Sequence, residues 1–199
     1  MTLGLPATLS DRLVQLIDIV FAVVIAESLA RYSDEIVGLS SPRTLVALLG
    51  VYVVTVSSWW FYYVSMKKYP YTETRIGTAR FAVDLFTVVL YVYLLYSVAQ
   101  IESSDNVVRY VSGFPFVFVA YIASGILRRW EYKKPGASRV GLLLTFAVLL
   151  GACASAYHFL YSGRPSEAAA WNWLFIVLPP LLVIAFRVSR RRFYEERTQ

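Results

Sequence analysis

Six apolar stretches of about twenty residues each constrain this chain more than any other feature of its sequence. A helix that rises about 1.5 Å per residue needs about 20 residues to cross about 30 Å of hydrocarbon. The sequence therefore predicts an all-α polytopic membrane protein, a single domain of six transmembrane helices joined by short connectors. The predicted spans cover residues 13–32, 44–64, 80–99, 107–127, 140–161 and 171–187.

Composition favours the membrane and excludes several classes of protein. Only 16% of the 199 residues are charged and 58% are hydrophobic, whereas a soluble domain carries about 25% charged residues. The single cysteine, Cys153, excludes an intramolecular disulfide, and the single histidine, His158, cannot by itself build a metal site or a catalytic triad. We recognise no pairing of a nucleophile with a base and no metal-ligand spacing, so we expect neither an enzyme nor a bound cofactor.

The basic residues orient the predicted spans, because lysine and arginine in short loops mark the cytoplasmic side. Six spans leave only Arg31, Arg43, Arg109 and Arg164 on the outer side. The other 15 of the 19 basic residues are Arg12, Lys67, Lys68, Arg75, Arg80, Arg128, Arg129, Lys133, Lys134, Arg139, Arg187, Arg190, Arg191, Arg192 and Arg197. Both termini are therefore predicted to be cytoplasmic.

This distribution of basic residues does not favour nucleic acid as a partner. We expect the C-terminal cluster to bind anionic lipid headgroups, with a nucleotide or a cytoplasmic regulatory partner as the alternative.

Aromatic side chains collect near the ends of the predicted spans. Their amphipathic rings favour headgroup depth, so we interpret them as interfacial belts rather than as a ligand cage. The tryptophans concerned are Trp59, Trp60, Trp130, Trp171 and Trp173.

Polar side chains inside spans are costly to insert and therefore mark candidate functional positions. Three acids qualify, namely Asp18, Glu27 and Asp84. Asp84 lies one helical turn after Arg80, so the simplest interpretation is a local ion pair at the cytoplasmic interface. The functional alternative is a larger polar network that also joins Arg12 and Asp18.

The first span carries a stripe that could line a pore. At 3.6 residues per turn, one face of the helix presents Leu16, Val20, Val23, Glu27 and Ala30. Around a cyclic axis of about four copies, this face would form a ring of glutamates above an apolar ring of valines. Acidic rings favour cations, and apolar constrictions gate by dehydration.

Two simpler interpretations of the same helix stay open. Glu27 could pair with Arg31 four residues later, in the favourable order of acid before base. Ala22, Ala26 and Ala30 could form an ordinary seam of small residues where two helices pack closely.

Residues 12–29, RLVQLIDIVFAVVIAESL, resemble the first-helix signature of the transmembrane protein 175 family of potassium channels, approximately R-L-x-x-F-S-D-x-V-F-A-I-x-I-T. The matching residues are Arg12, Leu13, Asp18, Val20, Phe21, Ala22 and Ile25. Prokaryotic members of that family have six spans, cytoplasmic termini and a tetrameric pore lined by the first helices. The resemblance thus implies a homotetramer in the bacterial cytoplasmic membrane that conducts a monovalent cation, K⁺.

The resemblance also implies roles for individual residues. Val23 falls where family members place the bulky aliphatic residue of the pore constriction, and Arg12 and Asp18 fall on a cytoplasmic polar network. Two departures affect the pore. The family's Phe-Ser is replaced by residues 16–17, Leu-Ile, and its pore threonine is replaced by Ala26.

The sequence therefore favours an oligomeric cation channel with its pore along the first helix, lined by Val20, Val23, Ala26, Glu27 and Ala30. The lost hydroxyls and the basic cytoplasmic face suggest one alternative, a membrane-depolarising effector pore of a bacterial defence system that is opened by a partner or ligand. A second alternative is a small transporter or membrane scaffold, in which the span acids would act within one protomer.

Overall fold

The computed structural model describes residues 9–38, 41–98, 101, 104–133, 140–161 and 169–195. This part of the chain is all-helical, as the sequence predicts. The helices are α1 (Leu9–Arg31), α2 (Ser33–Gly38), α3 (Pro42–Lys68), α4 (Arg75–Val98), α5 (Ser104–Tyr132), α6 (Val140–Tyr161) and α7 (Ala169–Glu195). The predicted basic positions Lys134, Arg139, Arg164 and Arg197 lie outside the described residues, as do the side chains of Arg187, Arg190, Arg191 and Arg192.

Within the described residues, four helices are long and apolar enough to cross a membrane, which suggests a multi-pass membrane protein. These helices cover Leu9–Arg31, Pro42–Lys68, Arg75–Val98 and Val107–Tyr132. They match the first four predicted spans and extend several of them by one or two turns. The fifth and sixth predicted spans are helical as well, and among the residues whose side chains the structure describes their apolar segments are Phe146–Ser155 and Trp173–Phe186.

The sequence predicts a connector after the first span, and the structure has the short helix α2 there. Ser41 then caps α3, since its hydroxyl accepts a hydrogen bond from the Thr44 amide at 3.3 Å. Pro42 follows at the first helical position, where a missing N–H costs no hydrogen bond.

The core lies among α3, α4, α5, α6 and α7. Helix α4 packs along α5, α5 packs along α6, and α3 contacts α7. Gly50 permits the last of these contacts, because a Cβ at this position would lie 2.7 Å from the ring of Pro180. Phe118, Phe146 and Phe186 join α5, α6 and α7, with ring centroids 5.4 to 6.0 Å apart.

Helix α1 lies at the edge of this core. Among the described helices, those whose backbones approach it are α2, α3 and α4. Only 17% of its most apolar window is buried, against 39% in each of the other three long apolar helices. Most of the surface of α1 is therefore left uncovered by the part of the chain that the structure describes.

Candidate functional site

The uncovered face of α1 contains most of the predicted pore stripe. Val23 is 59% exposed, and Leu16, Ala26, Glu27 and Ala30 are exposed as well. Val20 is the exception, because it is half-buried against the core. The opposite face of α1 packs inward through Ile17, Phe21, Val24 and Ser28.

Side-chain hydrogen bonds hold the buried face of α1 to α3. The Ser28 hydroxyl lies 2.9 Å from the hydroxyl of Tyr52. Nearer the helix start, the Trp59 indole donates to the Asp18 carboxylate at 2.8 Å. The belt interpretation of Trp59 is therefore incomplete, because this indole has a specific partner inside the protein.

Both ends of α1 are also held. The Tyr71 amide, in the connector after α3, donates to the Ser10 hydroxyl at 3.0 Å. At the other end, the Tyr32 hydroxyl donates to the backbone carbonyl of Leu95 in α4 at 2.5 Å.

The predicted pairing of Glu27 with Arg31 is not formed within the described residues. Instead, the Arg31 guanidinium lies 4.2 Å from the centroid of the Tyr96 ring. This cation–π contact draws Arg31 toward α4 and leaves Glu27 on the exposed face.

The predicted network of Arg12, Asp18, Arg80 and Asp84 is also not assembled in the structure. Arg12 is exposed, and Asp18 accepts its hydrogen bond from Trp59. Arg80 is fully buried, and its ion pair is with Glu131 at the end of α5 rather than with Asp84. The predicted local pair of Arg80 with Asp84 is therefore wrong, because Arg80 of α4 pairs with Glu131 of α5.

The buried ion pair fixes the connector between α3 and α4. Arg80 donates to the backbone carbonyl of Tyr69 at 2.8 Å. Glu131 accepts from the Thr72 amide and hydroxyl at 2.7 and 2.8 Å. A buried charge needs such partners, and Gly77 leaves room for them, since a Cβ there would lie 2.1 Å from the Thr72 carbonyl oxygen.

Asp84 has neutral hydrogen-bond donors. The Tyr71 hydroxyl donates to it at 2.8 Å and the Ser124 hydroxyl at 2.6 Å. Burial, with the Asp84 carboxylate beside it, raises the pKa of the Tyr71 phenol well above its usual range. Tyr71 therefore stays protonated and continues to donate, and the Tyr62 hydroxyl lies 3.4 Å from it.

A cavity of about 160 Å³ lies beside Asp84, among α1, α3, α4 and α5, with Phe186 of α7 also at its wall. Its polar lining includes a chain of hydroxyls, in which Tyr121 lies 2.5 Å from Ser58 and 2.6 Å from Tyr91. The other polar lining residues are Tyr62, Ser65, Asp84, Thr87, Ser124, Arg128 and Arg129.

Sequence reasoning missed this cavity, its lining residue Ser124 and the ion-pair partner Glu131. Glu131 was overlooked because it lies among basic residues at the end of a span, where it looks like an ordinary loop acid. Ser124 gave no signal on its own. A signal for both lay in spacing, because residues 124, 128 and 131 share one face of a helix.

Comparison with models of protein families, with curated proteins and with solved structures finds no match to this chain. Within the described residues, no group of three or more His, Cys, Asp or Glu side chains could hold a metal ion.

Proposed function

We propose that this chain is a subunit of an oligomeric cation channel whose pore is lined by the exposed face of α1. The observation that carries the proposal is Glu27, an acid on the exposed side of an apolar helix and one turn from Val23. An ionised carboxylate is costly against lipid, whereas water in a pore solvates it. A ring of such acids attracts cations.

The low burial of α1 supports a pore on an oligomer axis rather than inside one protomer. A face with little cover in the single chain is available to copies of itself around a cyclic axis. In this arrangement Val23 forms the apolar constriction and Glu27 the acidic ring on its outer side.

The resemblance of residues 12–29 to the first helix of the transmembrane protein 175 family supports a homotetramer that conducts K⁺. The replacement of the family's pore threonine by Ala26 makes selectivity the property in which this chain departs from the family.

The proposed topology has six spans and two cytoplasmic termini in a bacterial cytoplasmic membrane. Helices α6 and α7 supply the fifth and sixth spans. The strong bias of basic residues to one side of a six-span arrangement supports it, because an even number of spans keeps the basic connectors on one side.

Ion flux from liposomes tests the pore. Purified protein is reconstituted under a K⁺ gradient, and the measurement is repeated with Na⁺ and with Cl⁻. We expect cation flux to fall by about an order of magnitude or more in Val23→Trp, because a larger apolar side chain closes a narrow constriction. Glu27→Gln should reduce the preference for cations over anions.

Val89→Trp is the matched control. Val89 lies on α4 and is 54% exposed, close to the 59% of Val23. The same substitution there therefore tests the effect of a larger side chain on the exposed face of another helix. Flux that Val23→Trp and Val89→Trp change equally would contradict a pore along α1. A purely monomeric protein in mild detergent would contradict the oligomer axis.

A further inference from the structure

The cavity beside Asp84 is large for a packing defect and polar for a lipid-facing groove. Its volume of about 160 Å³ exceeds by far the roughly 10–15 Å³ that one water molecule requires. Aromatic and aliphatic side chains form the remaining walls, including Phe21, Phe61 and Ile122. The cavity is thus lined by polar and apolar side chains together, and its volume suits a small ligand.

The charges in the lining are mixed. Asp84 supplies one carboxylate, and Arg128 and Arg129 supply two guanidinium groups. The neighbouring pair of Arg80 and Glu131 neutralises itself. A simple anion would meet the carboxylate of Asp84, and a simple cation would meet the two arginines, so the lining complements a ligand that carries both charges.

The spacing of these charges follows from α5. Ser124 hydrogen-bonds to Asp84 at 2.6 Å, and Arg128 lies one helical turn further along the same helix. Four residues of an α-helix advance about 6 Å. The Arg128 guanidinium donates to the Ser65 hydroxyl of α3 at 2.7 Å, whereas Asp84 is bonded to Ser124. The acidic and basic groups of the lining are thus held by different residues, which suits a short ligand with an ammonium at one end and an anion at the other.

We infer that this cavity binds a zwitterion that joins a primary ammonium to a phosphate through a short carbon chain. The ammonium donates hydrogen bonds to Asp84, and the phosphate accepts from Arg128 and Arg129, whose guanidinium groups suit phosphate oxygens. This chemistry occurs both in free phosphoethanolamine and in the headgroup of an ethanolamine phospholipid. Because Ile17 and Phe21 of α1 also line the cavity, an occupant contacts the proposed pore helix.

Binding is measured on the full-length protein in mild detergent, without reference to conduction. Calorimetric titration with phosphoethanolamine should show saturable binding, and phosphocholine should bind more weakly because its quaternary ammonium has no N–H to donate. Asp84→Asn should weaken phosphoethanolamine binding by about tenfold or more, since hydrogen bonds to a charged group are the stronger class.

A pair of glycines gives a matched steric test. Gly125 lines the cavity, and a Cβ there would meet open space, so Gly125→Leu fills the site without a clash at the backbone. Gly151 on α6 is equally unobstructed and is not among the lining residues. We expect Gly125→Leu to abolish binding and Gly151→Leu to retain it, with both proteins folded.

A second experiment distinguishes a lipid headgroup from a free ligand. The protein is placed in bilayers of phosphatidylcholine with and without phosphatidylethanolamine, and its thermal midpoint is compared between wild type and Gly125→Leu. A wild-type stabilisation by phosphatidylethanolamine that Gly125→Leu loses identifies the lipid headgroup, and binding of phosphoethanolamine without that stabilisation identifies a free ligand. The inference is overturned if neither probe binds, or if Gly125→Leu binds as wild type does.

Discussion

At the scale of single residues, Arg80 and Glu131 form a buried ion pair that is costly to break. Both side chains are almost wholly buried, at 1% and 0% exposure. A buried charge that loses its partner destabilises a protein strongly, whereas replacing both partners by neutral groups costs much less. The pair therefore couples the stability of the end of α5 to the stability of the start of α4.

Glu131→Gln is expected to lower the free energy of unfolding by about 3–5 kcal/mol, because it leaves the Arg80 charge buried without a counter-charge. Glutamine still offers an oxygen to Thr72, so the change isolates the ion pair. The double variant Arg80→Met with Glu131→Gln should recover much of the loss. Denaturant unfolding in detergent measures both, and equal midpoints for Glu131→Gln and wild type would refute the assignment.

Gly77 gives a second prediction at this scale. Gly77→Ala should destabilise the protein, because the new Cβ would lie 2.1 Å from the carbonyl oxygen of Thr72, a backbone atom that cannot turn aside. Gly151→Ala, in open space on α6, should instead stabilise by roughly 0.5–1 kcal/mol through helix propensity. Thermal midpoints of the two variants should move in opposite directions, and a shared direction would argue against the close approach at Gly77.

At the scale of elements, α1 differs from the other helices in how it is held. Its inner face packs on α3 and α4, and its polar side chains bond to Tyr52 and Trp59 of α3. Its outer face has little cover. A helix held on one side by a few contacts can shift while the rest of the bundle keeps its packing.

Trp59→Phe should loosen α1 selectively, because it removes the indole donor to Asp18 and keeps an aromatic ring at this position. We expect faster amide hydrogen exchange in α1, with little change in α4 and α5. Trp60→Phe is the control, since Trp60 is the next residue along and is 58% exposed. If the two variants exchange alike, the Trp59 bond does not hold the helix.

At the scale of the whole molecule, the all-helical fold could be predicted because apolar length and helical rise determine where helices of this kind run. The first four predicted spans agree with helices long enough to cross a membrane. Helix α2 was missed, because six residues with three charged or polar side chains carry no periodic signal.

The sequence did not predict which residues of different helices pair with each other. Arg80 has an acid one turn away in Asp84, and local spacing favours that pair. The structure selects Glu131 instead, 51 residues later, because the packing of α4 on α5 brings the two together. Helical periodicity places Val23 and Glu27 on one face of α1, whereas the cavity arises only when α1, α3, α4 and α5 meet.

The contact between Asp18 and Trp59 has a consequence for biosynthesis. The two residues are 41 positions apart, and ribosomes add about 5–20 residues per second. For roughly 2 to 8 seconds after Asp18 is made, its partner does not exist. Until α3 is made, Asp18 therefore lacks the hydrogen bond from Trp59 that it accepts in the finished structure. Pairing of α1 with α3 therefore comes after the contact of α1 with α2, which can form as soon as α2 is made.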